Sequence, residues 1–180
     1  MRKALFLLGR LSDEDVEWMI GYGRQRTVRA GDVLIRQGQP VEDLFLVLHG
    51  SFRVWDERAG RELARLTSGE IVGEMSFVDA HPPSATVAAL GRGVVLALPR
   101  ALLQQKLDRD AGFAARFYHA LAVFLSDRLR ATVARTHAAT AKPGLDEGVI
   151  ADDELDPNVL DTVHRAGARF SQILTRLSPG

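Results

Sequence analysis

Cysteine is missing from this chain of 180 residues. Its absence excludes disulfide bonds, thiolate zinc sites, cysteine-ligated iron–sulfur clusters and a cysteine nucleophile. A chain without cysteine also fits a reducing compartment, where disulfides are rare. Any function must therefore depend on the shape, charge and hydrogen bonding of other side chains.

The chain also lacks a surplus of charge of either sign and a long hydrophobic run. Lys+Arg and Asp+Glu both number 23, so the formal net charge is +0. A protein that binds nucleic acid by neutralising phosphates usually carries a positive surplus. The apolar run at residues 4–8 is too short for a signal peptide core or a membrane crossing. We therefore expect a soluble, cytoplasmic protein that binds neither DNA nor a membrane.

Patterns of catalytic and metal-binding residues are missing as well. The five histidines show neither His-x-His nor His-x-x-x-His spacing, so we expect no metal site: His49, His81, His119, His137 and His164. No P-loop, paired-carboxylate spacing or nucleophile with a neighbouring base is visible. The sequence therefore predicts a protein that is not an enzyme and has no resident cofactor.

What the chain does contain is 46% hydrophobic residues, enough for the core of one domain with a tail. Between residues 24 and 98, short apolar runs alternate with glycine-containing turns. The candidate strands are 27–28, 33–35, 44–48, 52–55, 63–66, 85–90 and 94–98. Short strands at regular spacing, with no helices between them, predict a mainly β sandwich or barrel rather than a parallel sheet.

Helical patterns flank this β region on both sides. Ser12 is a good N-cap for a first helix that ends near Gly21. Pro99 can begin another helix, and after a break at residues 108–110 a long helix is predicted over 111–136. Four arginines give this long helix a basic face, which we interpret as solvated: Arg116, Arg128, Arg130 and Arg135.

The tail after the predicted domain at residues 1–137 divides into a linker and one further helix. Residues 138–157 contain an acidic run, which is typical of a solvated linker. Residues 158–178 carry apolar side chains on alternating three- and four-residue steps, which predicts an amphipathic helix. Such a helix is marginal alone in water. We therefore expect its apolar face to dock on the protein's own barrel, on a second copy or on another protein.

The stretch around which the chain is organised is residues 69–90, GEIVGEMSFVDAHPPSATVAAL, here termed the cassette segment. Gly73 allows the backbone to approach a ligand closely. The helical turn after it offers unpaired N–H groups to an anion. The Glu74 carboxylate can accept hydrogen bonds from a sugar hydroxyl, or alternatively cap this turn.

The cassette segment resembles the phosphate-binding cassette of the cyclic-nucleotide-binding domain family, through GEMSF at 73–77 and PPSAT at 82–86. This family includes catabolite activator proteins, regulatory subunits of protein kinase A and cyclic-nucleotide-gated channels. Turn glycines at Gly31, Gly38 and Gly50 add to the similarity, which covers about residues 11–137. The resemblance implies a jelly roll (double-stranded β-helix), mainly β with flanking helices, and hinge and lid helices after the barrel.

The resemblance also implies a ligand, cyclic AMP or cyclic GMP, and the residues that contact it. These residues are Gly73, Glu74, Met75, Ser76, Pro83, Ser84, Ala85 and Thr86. The family has an arginine directly before Ser84, where the guanidinium binds the phosphate, whereas this chain has Pro83. Because charge-assisted hydrogen bonds contribute about 1.5–3 kcal/mol each, we expect weak or altered binding. His81 would be a weak, pH-dependent substitute, and a solvent-exposed loop histidine is its simpler interpretation.

Two functions follow from these expectations. In the first, the domain is a sensor in which a ligand moves the lid helix and the C-terminal helix passes the signal to a protein partner. In the second, the domain has lost its ligand and serves as an interaction or assembly module. The resemblance further implies a homodimer through the long helix. Because no paired recognition helix follows the long helix in this sequence, we do not expect direct DNA binding.

Overall fold

The computed structural model describes residues 8–140 and 157–177. After a helical turn at residues 8–10, these residues form five α-helices and eight β-strands. The helices are α1 (Asp13–Tyr22), α2 (Glu74–Asp79), α3 (Arg100–Arg109), α4 (Ala111–Thr140) and α5 (Pro157–Leu177). The strands are β1 (Arg24–Val28), β2 (Val33–Ile35), β3 (Asp43–His49), β4 (Phe52–Asp56), β5 (Arg61–Leu66), β6 (Ile71–Val72), β7 (Thr86–Ala89) and β8 (Gly93–Pro99).

The strands form two four-stranded antiparallel sheets. One sheet has the order β1-β8-β3-β6 and the other the order β2-β7-β4-β5. Most sheet neighbours are therefore distant in sequence, which is the arrangement of a jelly roll and confirms the predicted fold class. The sequence pattern does not predict β6, because its two residues are too few to show an alternation of apolar and polar side chains.

Strand β3 is buried on both faces of its sheet. Phe45 and Val47 pack in the cluster between the two sheets, whereas Leu46 and Leu48 pack in the cluster formed with the helices. Successive side chains of a strand point to opposite faces, so a continuous apolar run such as this one suits burial on both sides. The described residues therefore form three layers, with the helices on the outer face of the β3-containing sheet.

The helices begin and end at identifiable capping residues. The Ser12 hydroxyl accepts a hydrogen bond from Asp15 N–H (3.2 Å), and the Asp15 carboxylate accepts one from Ser12 N–H (2.7 Å), which is a capping box. The predicted break at 108–110 is only one residue long, Asp110, which lies between the end of α3 and the start of α4. The Asp110 carboxylate accepts a hydrogen bond from Phe113 N–H (2.8 Å) and so caps the first turn of α4. Helix α4 continues to Thr140, and residues 141–156 of the predicted linker lie outside the described residues.

Helix α5 packs against α1. Ala166 and Ile173 are fully buried. Arg169 Nε donates to Asp13 Oδ1 (2.7 Å), and Arg169 Nη1 donates to the carbonyl oxygen of Leu8 (2.8 Å). The described docking surface of α5 is therefore the protein's own N-terminal helix, which the sequence analysis did not name. None of the helices in residues 8–140 and 157–177 is both long and apolar enough to cross a membrane.

Candidate functional site

The candidate site is built on a tight turn at Gly73, between β6 and α2. Gly73 has a φ of +96° and is the N-cap of α2. A Cβ atom at this position would lie 3.3 Å from the carbonyl oxygen of Asp43 and 3.3 Å from Cδ1 of Ile35. The turn therefore favours glycine for its conformation and for its close packing. It places Glu74, the first residue of α2, in the protein interior, where it is 2% exposed.

A cavity of about 210 Å³ lies between the cassette segment, the inner face of the β2-β7-β4-β5 sheet and α4. Seven of the eight predicted contact residues line it: Gly73, Glu74, Met75, Ser76, Pro83, Ser84 and Ala85. Thr86 does not, and its hydroxyl instead accepts from Gln37 N–H (2.9 Å) and donates to the Glu57 carboxylate (2.5 Å). The structure thus brings all of the predicted residues except Thr86 together around one cavity.

The cavity also contains a residue that the sequence pattern places on a solvated face. Arg128 of α4 lines the cavity, and its Nη1 donates to Oε1 of Glu74. The Glu74 side chain is 3% exposed and the Arg128 side chain 28%. The interpretation of the α4 arginines as solvated is therefore wrong for Arg128. Arg116 is 39% exposed, and its guanidinium also has a partner, because it donates two hydrogen bonds to the buried Asp15 carboxylate.

A signal for Arg128 is present in the sequence, although it is weak. Arg128 lies seven residues after Leu121 and four after Phe124, and both of these are buried. Arg128 therefore continues the buried stripe of α4 by one more helical turn. An arginine on a buried stripe usually has a partner of opposite charge, but the sequence does not indicate which carboxylate that is.

The electrostatics of the cavity centre on Glu74. Burial raises the pKa of Glu74, while Arg128 and the backbone N–H groups of Gly73 and Glu74 oppose that rise. The buried Glu74 carboxylate thus lies at the start of α2, where the sequence predicts N–H groups that face an anion. The described cavity wall holds no lysine and no second arginine. His81, at the rim, is 80% exposed, and its Nδ1 lies 3.5 Å from Oδ2 of Asp79.

Pro83 is held at the edge of the cavity by the neighbouring turn. Its carbonyl oxygen accepts a hydrogen bond from Gly38 N–H (2.9 Å), in the loop between β2 and β3. This bond keeps the cassette loop in position although Pro83 has no side-chain charge and no N–H of its own. In the described part of the chain, no group of three or more histidine, aspartate or glutamate side chains is placed to hold a metal ion.

The cassette segment is also joined to the helices that follow the barrel. Arg100, the first residue of α3, donates to the carbonyl oxygen of Ser76 (2.9 Å), and its guanidinium lies 5.6 Å from the Phe77 ring centroid. The ring of Phe77 packs edge-on against Phe117 of α4, with centroids 5.9 Å apart. Helix α2 therefore contacts both α3 and α4. A displacement of α2 would change its packing against both helices.

Comparisons with known proteins agree with this geometry. Residues 25–110 match the family model described as the cyclic nucleotide-binding domain. The cyclic AMP receptor protein of Thermus thermophilus is 33% identical over 123 residues, which are 67% of this chain and 55% of that protein. A cyclic nucleotide-gated potassium channel of Mesorhizobium japonicum is 38% identical over 81 residues, 45% of this chain and 22% of the channel. The chain thus spans about half of the first relative and less than a quarter of the second.

A solved structure supports the same relationship. The crystal structure of the Thermus thermophilus catabolite activator protein matches with a TM-score of 0.62 and 30% sequence identity. The match covers 74% of this chain and 62% of that one. The matched family model, the related sequences and the shared jelly roll lead to one conclusion: through residues 25–110, this chain belongs to the cyclic nucleotide-binding domain family.

Proposed function

We propose that this protein is a ligand-responsive regulatory domain, in which a small molecule of nucleotide type binds in the Gly73–Glu74 cavity and changes the position of α4. The observation that carries the proposal is the pair formed by Glu74 and Arg128. One partner belongs to the cassette segment and the other to the long helix, 54 residues later. A ligand that hydrogen-bonds to Glu74 therefore acts on the carboxylate to which α4 is attached.

The coupling follows from the energetics of a buried pair. Breaking such a pair without a replacement leaves a buried charge without its partner, which costs several kcal/mol. Because the pair therefore stays formed, a ligand that displaces Glu74 displaces Arg128 and α4 with it. It can do so only if it binds that arrangement of the helix better than the other. The names of the relatives include a cyclic AMP receptor protein and a cyclic nucleotide-gated channel. They support a nucleotide-type ligand, and we propose no catalytic role.

A second candidate function, an interaction module without a ligand, is favoured by Pro83. Pro83 brings no charge to the position where the family has an arginine. In that case the exposed apolar residues of α4, Leu129 (65% exposed) and Val133 (46% exposed), would be the contact surface.

Homodimerisation through α4 remains a prediction, which light scattering tests. A mass twice that of the single chain supports it, and a monomer at high concentration contradicts it.

Hydrogen exchange and calorimetry test the leading proposal. Cyclic AMP, cyclic GMP, a cyclic dinucleotide, adenosine and guanosine are each titrated into the protein, and hydrogen exchange of α4 is measured with the ligand that binds. We expect protection to change in the helical turns around Arg128. We also expect Arg128→Gln to weaken binding by about tenfold or more, because the variant removes the charge that holds Glu74.

Arg130→Gln is the matched control for this experiment. Arg130 lies on the same helix and donates to Ser126 Oγ (2.8 Å) at an exposed position, so it carries the same charge outside the cavity. The control should bind as the wild type does. Absence of binding by every compound contradicts the leading proposal and favours the interaction module. Binding that leaves the exchange of α4 unchanged contradicts the proposed coupling.

A further inference from the structure

The charges around the cavity do not suit an anionic ligand. Glu74 and Arg128 neutralise each other, and the remaining full charge on the described wall is the carboxylate of Asp79. His81 beside Asp79 is mostly exposed to solvent. A phosphate placed here would therefore meet no uncommitted cation in the described wall. Moving an unpaired charge out of water into a cavity of this kind is unfavourable.

The start of α2 already holds an anionic group. The Glu74 carboxylate is buried there and accepts a hydrogen bond from Arg128. Pro83 has no N–H, and its carbonyl oxygen already accepts a bond from Gly38. The anionic group at the start of α2 is thus a side chain of the protein itself.

Transfer of Arg128 from Glu74 to a ligand phosphate would not solve this problem. Glu74 is 2% exposed, so it would lose its counter-ion while still buried. The exchange replaces one buried ion pair with another and leaves a carboxylate uncompensated. A ligand that leaves the Glu74–Arg128 pair in place avoids this cost.

The remaining features of the cavity suit a small molecule that has an apolar part and hydroxyl groups. Much of the wall is apolar: Ile35, Val54, Leu66, Val72, Ala85 and Val87. The volume of about 210 Å³ is below the roughly 300–1,000 Å³ typical of pockets for larger ligands. A carboxylate offers about four acceptor positions. Because Arg128 occupies one of these positions, acceptor capacity is left for a hydroxyl group.

We propose that the ligand of this cavity is an uncharged nucleoside rather than a cyclic nucleotide. This inference rests on the proposed function and specifies the class of its ligand. The base packs against the apolar wall, and a ribose hydroxyl donates to Glu74 while the Glu74–Arg128 pair stays formed. Ser84, at the exposed end of the cavity, is available to a second hydroxyl group.

Calorimetric titration of the wild-type protein decides between the two ligand classes. Adenosine and guanosine are compared with their 3′,5′-cyclic monophosphates at low and at high salt. We expect one of the nucleosides to bind at least about tenfold more tightly than the corresponding cyclic monophosphate. We also expect nucleoside affinity to change little with salt, because the bound molecule is uncharged.

Two proline variants test whether the lack of an uncommitted cation in the cavity wall explains the preference for an uncharged ligand. Pro83→Arg places a cation at the half-buried edge of the cavity and should increase affinity for the cyclic monophosphates by about tenfold or more. Nucleoside affinity should stay within about threefold of the wild-type value. Pro40→Arg is the matched control, because Pro40 is exposed and does not line the cavity, so the variant adds the same charge where solvent screens it.

Each outcome has one meaning. Tighter binding of a cyclic monophosphate than of its nucleoside by the wild type overturns this inference and leaves the proposed function standing. Binding of neither class overturns this inference, and the proposed function is overturned with it if the cyclic dinucleotide also fails to bind. A third outcome is that nucleosides bind, while a Pro83→Arg variant shown by circular dichroism to be folded gains no affinity for cyclic monophosphates. This outcome contradicts the explanation that the missing cation is what disfavours a phosphate.

Discussion

At the scale of single residues, the site depends on the backbone conformation of Gly73. Its φ of +96° lies in the left-handed region, where a side chain costs about 1–2 kcal/mol. The atoms around it add a steric demand, because Cγ1 of Val41 would lie 3.4 Å from an added Cβ. Gly21, near the end of α1, has no atom within 4 Å of such a Cβ. The two glycines should therefore respond in opposite ways to the same substitution.

Gly73→Ala should lower the free energy of unfolding by roughly 1–2 kcal/mol, because it combines an unfavourable φ with crowding. Gly21→Ala, the control, should leave it unchanged or raise it by about 0.5–1 kcal/mol, because alanine is the better helix former. Urea unfolding followed by circular dichroism measures both. A Gly73→Ala variant as stable as the wild type would show that the turn tolerates a side chain.

At the scale of elements, α1 is joined to α4 by a charged pair. Arg116 donates from Nε to Oδ2 of Asp15 (2.7 Å) and from Nη2 to Oδ1 (2.9 Å). Burial raises the pKa of Asp15, but the hydrogen bonds from Arg116 and Ser12 outweigh it and hold the pKa below its ordinary value of 3.8. The same carboxylate belongs to the capping box of α1, so one residue both starts α1 and anchors it.

Asp15→Asn should therefore lower stability in a pH-dependent way. At neutral pH we expect a loss toward the lower end of about 1.5–3 kcal/mol, because Arg116 is partly solvated. The unfolded state takes up the Asp15 proton at a higher pH than the folded state. The advantage of the wild type is therefore full above about pH 4 and falls as the pH drops through the folded pKa.

Thermal melting of wild type and Asp15→Asn from about pH 7 down to about pH 2 measures this difference. The comparison cancels the contributions of the other carboxylates, which both proteins share. A difference in melting temperature that stays constant over the whole range would show that the charge of Asp15 does not stabilise the fold.

At the scale of the whole molecule, α1 lies between α4 and α5. Besides Arg169, Gln172 of α5 donates to Oε1 of Glu17 (2.6 Å), and Ile173 is fully buried in the helical cluster. A helix of this kind is held by its buried apolar face more than by exposed charged pairs, which contribute about 0–1 kcal/mol each. Docking of α5 therefore depends on a few buried side chains.

Ile173→Ala should weaken the docking of α5 by about 2–4 kcal/mol, since it leaves a cavity in the contact with α1. Hydrogen exchange of α5 measures the local opening, which should become faster than in the wild type. The neighbouring substitution Leu174→Ala removes a side chain that is 36% exposed and should change exchange much less. Equal effects of the two substitutions would argue against docking through the Ile173 face.

Local patterns were sufficient for most of the fold. The Ser12 cap, the apolar runs of β3 and β8 and the turn glycines each act over a few residues, so they can be read in order along the chain. The two-residue strand β6 and the exact extent of α3 and α4 could not be read in this way. A pair of residues gives no period, and the end of a helix depends on which capping contact forms.

The same distinction between local order and tertiary contacts applies to the candidate site. The sequence by itself determined the glycine turn, the position of Glu74 at the start of α2 and the uncharged Pro83 of the cassette segment, because these are facts of local order. Only the tertiary structure decided that Arg128 reaches Glu74 and that Arg116 reaches Asp15, over separations of 54 and 101 residues. The docking of α5 on α1 was decided in the same way, since an amphipathic face shows that a partner is needed but not which surface provides it.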